Sequence, residues 1–340
     1  MPADTKPLVV RSVGVIGAGT MGGGIAMNFA NVGIPVVLLE MQQSALDKGL
    51  AVVRSNYERT AKRGGLTTQQ VEQRMALIKP SLVYTDLAEV DMVIEAVYEN
   101  MDIKKEVFAK LDRVAKPAAI LATNTSTLDV DTIAAMTTRP EKVIGTHFFS
   151  PANVMKLLEI VRGAKTSFET LATTLAVGKL INKVGVVVGV CDGFVGNRMI
   201  HRYGAQAQYM LEEGALPHEV DDPIYELGFA MGPLTMSDLA GLDVGWRIRQ
   251  GKGLPASLPP GERYCDISDK ICEMERFGQK TGAGFYRYDP TTRERQRDPL
   301  IEQLIVESSR AKGIIRRAIA PVEVIERLMY ALINEGAWIL

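Results

Sequence analysis

Between Val13 and Val190, short apolar runs alternate with stretches in which apolar residues recur every three or four positions. The short runs suit strands buried on both faces, and the longer period suits helices packed against them. Strands are predicted at Val13–Ile16, Val36–Glu40, Leu82–Tyr84, Met92–Ala96, Ile120–Thr123, Val143–Phe149, Leu157–Val161 and Val186–Val190. Helices are predicted from near Met21, from Ser44 to Arg63, after Thr67, and from Asp102 to Val114, before Pro117. Gln70, three residues after Thr67, completes a capping box. Strand and helix in alternation predict βαβ units and a mostly parallel sheet, an α/β fold.

The pattern changes at Asp192-Gly193. Beyond it, helical periodicity takes over, most clearly over Phe194–Glu213, with Gly214 as a stop. Gly251–Gly261, with its three prolines, reads as a loop, and Phe277–Tyr288 as a Gly-rich crossing. A charged linker follows Pro290, and a last helical pattern runs from Val322 to Leu340. The expected organisation is a leader over 1–10, an α/β domain over 11–190 and an all-α domain over 191–293. Residues 294–340 are expected to be a linker and the first helix of a second helical domain, because YALINEGAWIL echoes YMLEEGAL at Tyr209–Leu216. A chain that stops inside such a helix reads as cut short.

A length of 340 residues suits two domains of about 150 each. With 39 basic and 40 acidic residues the net charge is −1, which argues against nucleic acid as a partner, since phosphate binding needs a concentrated positive surface. No apolar run approaches the ~18–20 residues of a membrane span, and Arg11 interrupts what could pass for a secretory signal. Three cysteines, Cys191, Cys265 and Cys272, support neither a disulfide framework nor a zinc site. The expectation is an intracellular protein without membrane partners, cytoplasmic, with the peroxisome and mitochondrial matrix left open.

Candidate chemistry begins at the first strand. VGVIGAGTMGGGIA carries G-x-G-x-x-G where strand turns into helix. Gly17 serves the tight turn, Gly19 the close approach of a pyrophosphate, and Gly22 the packing of helix on strand; Thr20 and Met21 open the helix whose N–H groups face the phosphates. Glu40 ends the second strand eighteen residues past Gly22, where a carboxylate accepts ribose hydroxyls and repels a 2′-phosphate. A Rossmann-type domain binding NAD follows; FAD shares the glycine motif, but no second flavin motif is visible.

Among three histidines, His201 and His218 are read as structural or solvated. His147, in THFFSP at the C-terminal end of a strand, lies where open α/β sheets place ligands, and its imidazole can take and return an alcohol proton. Glu159, in KLLEIV, is costly to bury alone. A hairpin-like return would pair it with His147, orienting the ring and stabilising the imidazolium; alternatively it pairs with Lys156 or Arg162. Ser126, after the strand ILAT, either bonds substrate and cofactor or caps the next helix, and Asn197 either reaches a substrate or caps its own helix. No His/Cys/Asp/Glu cluster has metal-ligand spacing.

Together GAGTMGGGIA, VIEAVYENMDIKK, NTST, GTHFFSPANVMKLLEIV, CDGFVGNR, GFAMGPLTMSDLAGLDV and FGQKTGAGFYRY resemble the L-3-hydroxyacyl-CoA dehydrogenase family over about residues 11–290. The resemblance implies NAD-dependent oxidation of an (S)-3-hydroxyacyl-CoA to the 3-ketoacyl-CoA, a step of fatty-acid β-oxidation or its reverse. By motif, His147 matches the family's base and Glu159 its carboxylate partner, while Ser126 and Asn197 match groups that hold the substrate oxygens. Glu99, Lys104 and Lys280 match cofactor contacts, and Ser55 and Lys62 match groups at the CoA end, where Arg54, Arg59 and Arg63 could also serve the phosphates. Ser150 stands where single-function members have Asn, which weakens a cofactor contact there. Ser150, the stretch from Pro259 to Gly282 and the C-terminal helix look more like the dehydrogenase portion of bifunctional enoyl-CoA hydratase/3-hydroxyacyl-CoA dehydrogenases. The implied partner is an acyl-CoA, with a homodimer formed through any apolar patch the helical domain leaves exposed. Two alternatives remain at this point: a dehydrogenase of a small β-hydroxy acid, and a catalytically silent NAD-binding relative.

Overall fold

Two compact units make up the chain, Met1–Val195 and Gly196–Leu340. The computed structural model describes residue 2 and residues 4–340; Met1 and Ala3, within the expected leader, lie outside the described residues. The first unit is an eight-stranded sheet: β1 (Val13–Ile16), β2 (Val36–Leu39), β3 (Ile78–Ser81), β4 (Met92–Glu95), β5 (Ile120–Thr123), β6 (Val143–Phe148), β7 (Leu157–Arg162) and β8 (Val184–Gly189). Its order is β3-β2-β1-β4-β5-β6-β7-β8. Neighbours run parallel except β6 and β7, which are antiparallel. The chain turns back at β1, which β2 flanks on one side and β4 on the other, and this switch point is where open α/β sheets leave a crevice.

Successive strand residues point to opposite faces, and two apolar layers follow. On one face Val13, Val15, Val36, Leu38, Met92 and Ile94 pack with helices α1 (Thr20–Asn31), α2 (Gln43–Lys62) and α3 (Thr68–Ala76), and Leu158 and Ile160 with α6 (Phe168–Leu180). On the other, Ile16, Val93, Leu121, Val143 and Val161 pack with α4 (Met101–Val114) and α5 (Val130–Ala134). The capping box forms as expected: Gln70 N donates to Thr67 Oγ1 and Thr67 N to Gln70 Oε1. At the far end of α4, Arg139 closes the helix by donating to the carbonyls of Asp112, Ala115 and Lys116 and to the Asp112 carboxylate.

Two expectations fail. The strand read at Leu82–Tyr84 lies four residues earlier, at Ile78–Ser81; Leu82 and Val83 are exposed. Pro80 hid it, yet proline is tolerated on an edge strand, and β3 is one. The stretch expected as a charged linker instead holds a strand and a full helix.

That helix belongs to the second unit, which comprises α7 (Gly196–Glu213), α8 (Pro217–Glu226), α9 (Pro233–Ala240), α10 (Leu242–Gly251), α11 (Ile267–Glu273), α12 (Pro299–Ala311) and α13 (Pro321–Ile339). It also holds a short ribbon of β9 (Arg287–Tyr288) with antiparallel β10 (Arg295–Gln296), so it is helical but not purely so. Asp298 caps α12 by accepting from Leu300 N, and Pro299 takes the first helical position. Two buried carboxylates tie the unit together. Asp238 accepts from the amides of Phe285 and Tyr286 and the hydroxyl of Tyr288. Asp221 accepts from Leu234 N, Thr235 N and Oγ1, and Tyr286 Oη. These bonds explain the two Gly-rich motifs of this half as scaffold: an added Cβ at Gly284 would lie 2.0 Å from Asp238 Oδ1.

Candidate active site

The glycine loop joins β1 to α1. Gly17 adopts φ +99°, a conformation L side chains rarely take, and a Cβ on Gly22 would lie 1.8 Å from the Gly17 carbonyl oxygen. At Gly19 the situation is the reverse: a Cβ would meet nothing within 4 Å, so the loop offers an open surface there. No side chain caps α1, whose first turn, Thr20 and Met21 included, keeps its amides for a ligand. Glu40, just past β2, accepts from the Ala18 amide through Oε2 and the Met41 amide through Oε1, which sets its carboxylate against the loop. Space at Gly19, an uncapped helix start and a carboxylate at the neighbouring strand end fit a dinucleotide whose ribose lies on Glu40.

The antiparallel turn between β6 and β7 builds the second part. His147 and Glu159 are direct partners in the ladder, and His147 Nδ1 lies 2.6 Å from Glu159 Oε2. Both are buried, at 6% and 1% exposure. Glu159 Oε1 accepts from the Val195 amide. Glu159 is thus no edge-strand acid: β7 lies between β6 and β8, and the carboxylate meets the His147 imidazole. With Nδ1–H donating to the carboxylate, Nε2 is the nitrogen with a free lone pair. The rings of Phe149 and Phe194 pack at 4.4 and 5.8 Å from the imidazole, measured between centroids. The turn itself is clamped: Asn28 on α1 donates to Ala152 O, and Lys183 donates to the carbonyls of Ala152 and Met155. Ser150 is exposed at its start.

A third group gathers at the ends of β4 and β5. Ser126 is not a helix cap, since Asp129 caps α5. Instead, Ser126 N and Oγ both donate to Glu99 Oε1, at 2.8 and 3.2 Å, as does Thr125 Oγ1 at 2.6 Å. Burial pushes the Glu99 carboxyl upward, but the Thr125 hydroxyl, Lys104 and the Ser126 amide outweigh it and hold it below the ordinary carboxylate range. Lys104 departs from the expectation of a direct cofactor contact. It is wholly buried, with its ammonium 2.7 Å from Glu95 and 3.3 Å from Glu99, so it stands behind Glu99 rather than on the surface. Glu95, Thr123 and Thr125 were missed from sequence. The signal was present: Glu95 is a carboxylate inside an apolar strand, and Lys104 shares its helix face with Val107, Phe108 and Leu111.

On α2, Ser55, Arg59 and Lys62 follow at helical spacing along an exposed face. Arg54 is taken by Glu72, at 2.5 Å. Arg63 follows the helix and is exposed. Asn197 and Lys280 lie in the second unit: Asn197 in the first turn of α7, and Lys280 half-exposed and paired with Asp243. Among the described residues no group of three His, Cys, Asp or Glu side chains is set to hold a metal, and no helix is long and apolar enough to cross a membrane.

Comparison with known proteins follows the two units. Residues 12–191 match the family model of the 3-hydroxyacyl-CoA dehydrogenase NAD binding domain, and residues 193–288 that of the 3-hydroxyacyl-CoA dehydrogenase C-terminal domain. The peroxisomal bifunctional enzyme of Danio rerio is 48% identical over 99% of this chain and 48% of its own length. The chain therefore spans about half the length of the curated relatives it matches. The dehydrogenase part of multifunctional enzyme 1 from C. elegans superposes with a TM-score of 0.74 at 34% identity, over 99% of this chain and 76% of that one. An (S)-3-hydroxybutyryl-CoA dehydrogenase from Ralstonia eutropha gives 0.75 at 36% identity, over 83% of this chain and all of that one.

Proposed function

Because the chain belongs to the 3-hydroxyacyl-CoA dehydrogenase family, we propose that it interconverts an (S)-3-hydroxyacyl-CoA and its 3-ketoacyl-CoA with NAD as cofactor. The observation that carries this reading is the buried His147–Glu159 pair on the sheet edge that also holds the glycine loop and Glu40. When bound, the nicotinamide supplies the hydride acceptor for the substrate's C3. The glycine loop and Glu40 would hold the dinucleotide. His147 Nε2 takes the proton of the 3-hydroxyl, and Glu159, fixed by Val195 N, stabilises the imidazolium that results. Phe149 and Phe194 keep bulk water from that proton. Ser126, whose hydroxyl proton points to Glu99, offers its oxygen to a donor on substrate or cofactor.

Ser55, Arg59 and Lys62 on α2 form a polar, cationic strip suited to the phosphates of a CoA, whereas Arg54 is neutralised by Glu72. Asn197, Lys280 and Ser150 keep their assigned roles on motif correspondence alone. Relatives named as a peroxisomal bifunctional enzyme and as glyoxysomal and peroxisomal fatty-acid β-oxidation multifunctional proteins support a peroxisomal setting over the cytoplasmic one. The test is oxidation of NADH, followed by absorbance, with acetoacetyl-CoA and then a long-chain 3-ketoacyl-CoA. Turnover that His147→Ala abolishes while NADH still binds is the expected result; undiminished turnover by that variant rejects the base assignment.

A further inference from the structure

We infer that the buried Glu95–Lys104 pair is a positioning device that fixes Glu99 and keeps one of its oxygens ready for a cofactor donor. Glu95 is the last residue of β4, and its side chain leaves the sheet on the face covered by α4, where Lys104 projects from the helix's apolar stripe. Neither side chain has any exposure. The carboxylate is fully satisfied: Lys104 Nζ lies 2.7 and 2.9 Å from its two oxygens, Thr123 Oγ1 donates at 2.6 Å and Val97 N at 2.8 Å. Thr123 is the register partner of Glu95 on β5.

An ion pair sealed in this way adds little to folding compared with two apolar side chains of the same size, because desolvation cancels most of the attraction. Its third contact gives it a purpose. Lys104 Nζ also lies 3.3 Å from Glu99 Oε2, and Glu99 is the one member of the trio that reaches the surface, with its side chain about a third exposed. Its Oε1 is saturated by Thr125 Oγ1 and by Ser126 N and Oγ, so Oε2 keeps a lone pair for a donor from outside. One cation shared between two carboxylates leaves the trio with a net negative charge, and that charge sits on the exposed member. The groups facing it are Lys104 from α4 and, after β5, the hydroxyl of Thr125 and the amide and hydroxyl of Ser126.

This inference rests on the cofactor reading above. Its test uses Glu95→Gln/Lys104→Met, a neutral pair of similar size that should fold, alone and combined with Glu99→Gln. Three quantities are measured: thermal unfolding, the titration of Glu99 by carbon NMR in cofactor-free protein, and NADH affinity by fluorescence. The double variant should titrate Glu99 higher and bind NADH roughly tenfold more weakly, as coupled neighbours do. In the Glu99→Gln background the same two substitutions should change affinity by less than about twofold, because their route to the cofactor is gone. An equal loss in both backgrounds means a structural role and overturns the inference, as does unchanged titration and affinity in the double variant. Should the double variant not fold, Glu95→Gln alone decides. It frees Lys104 for Glu99, so Glu99 must titrate lower, and an unmoved titration rejects the device. If the unsubstituted protein binds no NADH, the inference and the cofactor reading fall together; if it binds and the variants are silent, only the inference falls.

Discussion

His147 Nδ1 and Glu159 Oε2 stand 2.6 Å apart across a one-to-one antiparallel register, and the second carboxylate oxygen is held by the Val195 amide. Glu159→Gln preserves the shape but can turn an amide N–H toward Nδ1, which favours the wrong imidazole tautomer. We expect kcat to fall by roughly 10²–10⁴-fold, as for the orienting acid of a catalytic triad. NADH affinity should stay within twofold or so of the parent. A variant retaining a third of the parental kcat would remove Glu159 from the chemistry.

Glu40 accepts from the loop amide of Ala18 at 3.0 Å, and on the proposed function it takes ribose hydroxyls. Glu40→Ala should weaken NADH by about ten- to hundredfold, the worth of hydrogen bonds to a charged group. NADPH should lose much less, since the repulsion of its 2′-phosphate disappears with the carboxylate. Titration of both nucleotides gives the ratio, and an unchanged ratio contradicts the assignment.

Arg139 spends its guanidinium on the C-terminal carbonyls of α4 and on Asp112, with only 9% of the residue exposed. Arg139→Met leaves those carbonyls buried without donors. The expected loss is about 3 kcal/mol in the unfolding of the first unit, read as a lower denaturant midpoint. A shift under about 0.5 kcal/mol, the scale of an ordinary surface substitution, speaks against the closure.

The buried Asp238 in the second unit titrates well above an ordinary aspartate: burial pushes it up to about 6, against hydrogen bonds from Phe285, Tyr286 and Tyr288. A carboxyl raised in the folded state contributes most to stability below its unfolded value near 3.8, and that contribution is lost as pH rises through about 6. Asp238→Asn does not titrate and is less stable throughout because it mismatches the donors. The gap between parent and variant should therefore narrow by roughly 2 kcal/mol from pH 4 to pH 7. Thermal unfolding at several pH values measures it, and a gap that widens with pH reverses the sign of the argument.

Much of the first unit was readable because each βαβ unit is local: strand, Gly-rich turn, helix and terminal acid lie within about thirty residues, and a buried strand announces itself as an apolar run. The His147–Glu159 pair was legible for the same reason, since a costly acid inside KLLEIV needed a partner and the imidazole lay twelve residues away. What stayed hidden depended on contacts that periodicity does not carry. Pro80 masked β3 because its exposure at the sheet edge is a fact of topology. The Asp298-Pro299 start of α12 was lost in a charged stretch whose apolar positions, Ile301 and Ile305, bury against the rest of the second unit. Lys104 was assigned by motif, and only the structure puts its ammonium on Glu95 and Glu99.

The clamped turn between β6 and β7 acts as a ruler. Ala152 is held from two sides and Met155 from one, so residues 149–156 have no slack to absorb a change in chain length. Deleting one residue between Leu157 and Glu159 would slip the pairing and bring an apolar neighbour opposite His147, turning the carboxylate to the far side of the sheet. In any chain that keeps this turn, the interval of twelve residues from imidazole to carboxylate is therefore closed to insertions and deletions. The spacing can then serve as a marker of the pair in relatives whose other residues have drifted beyond alignment.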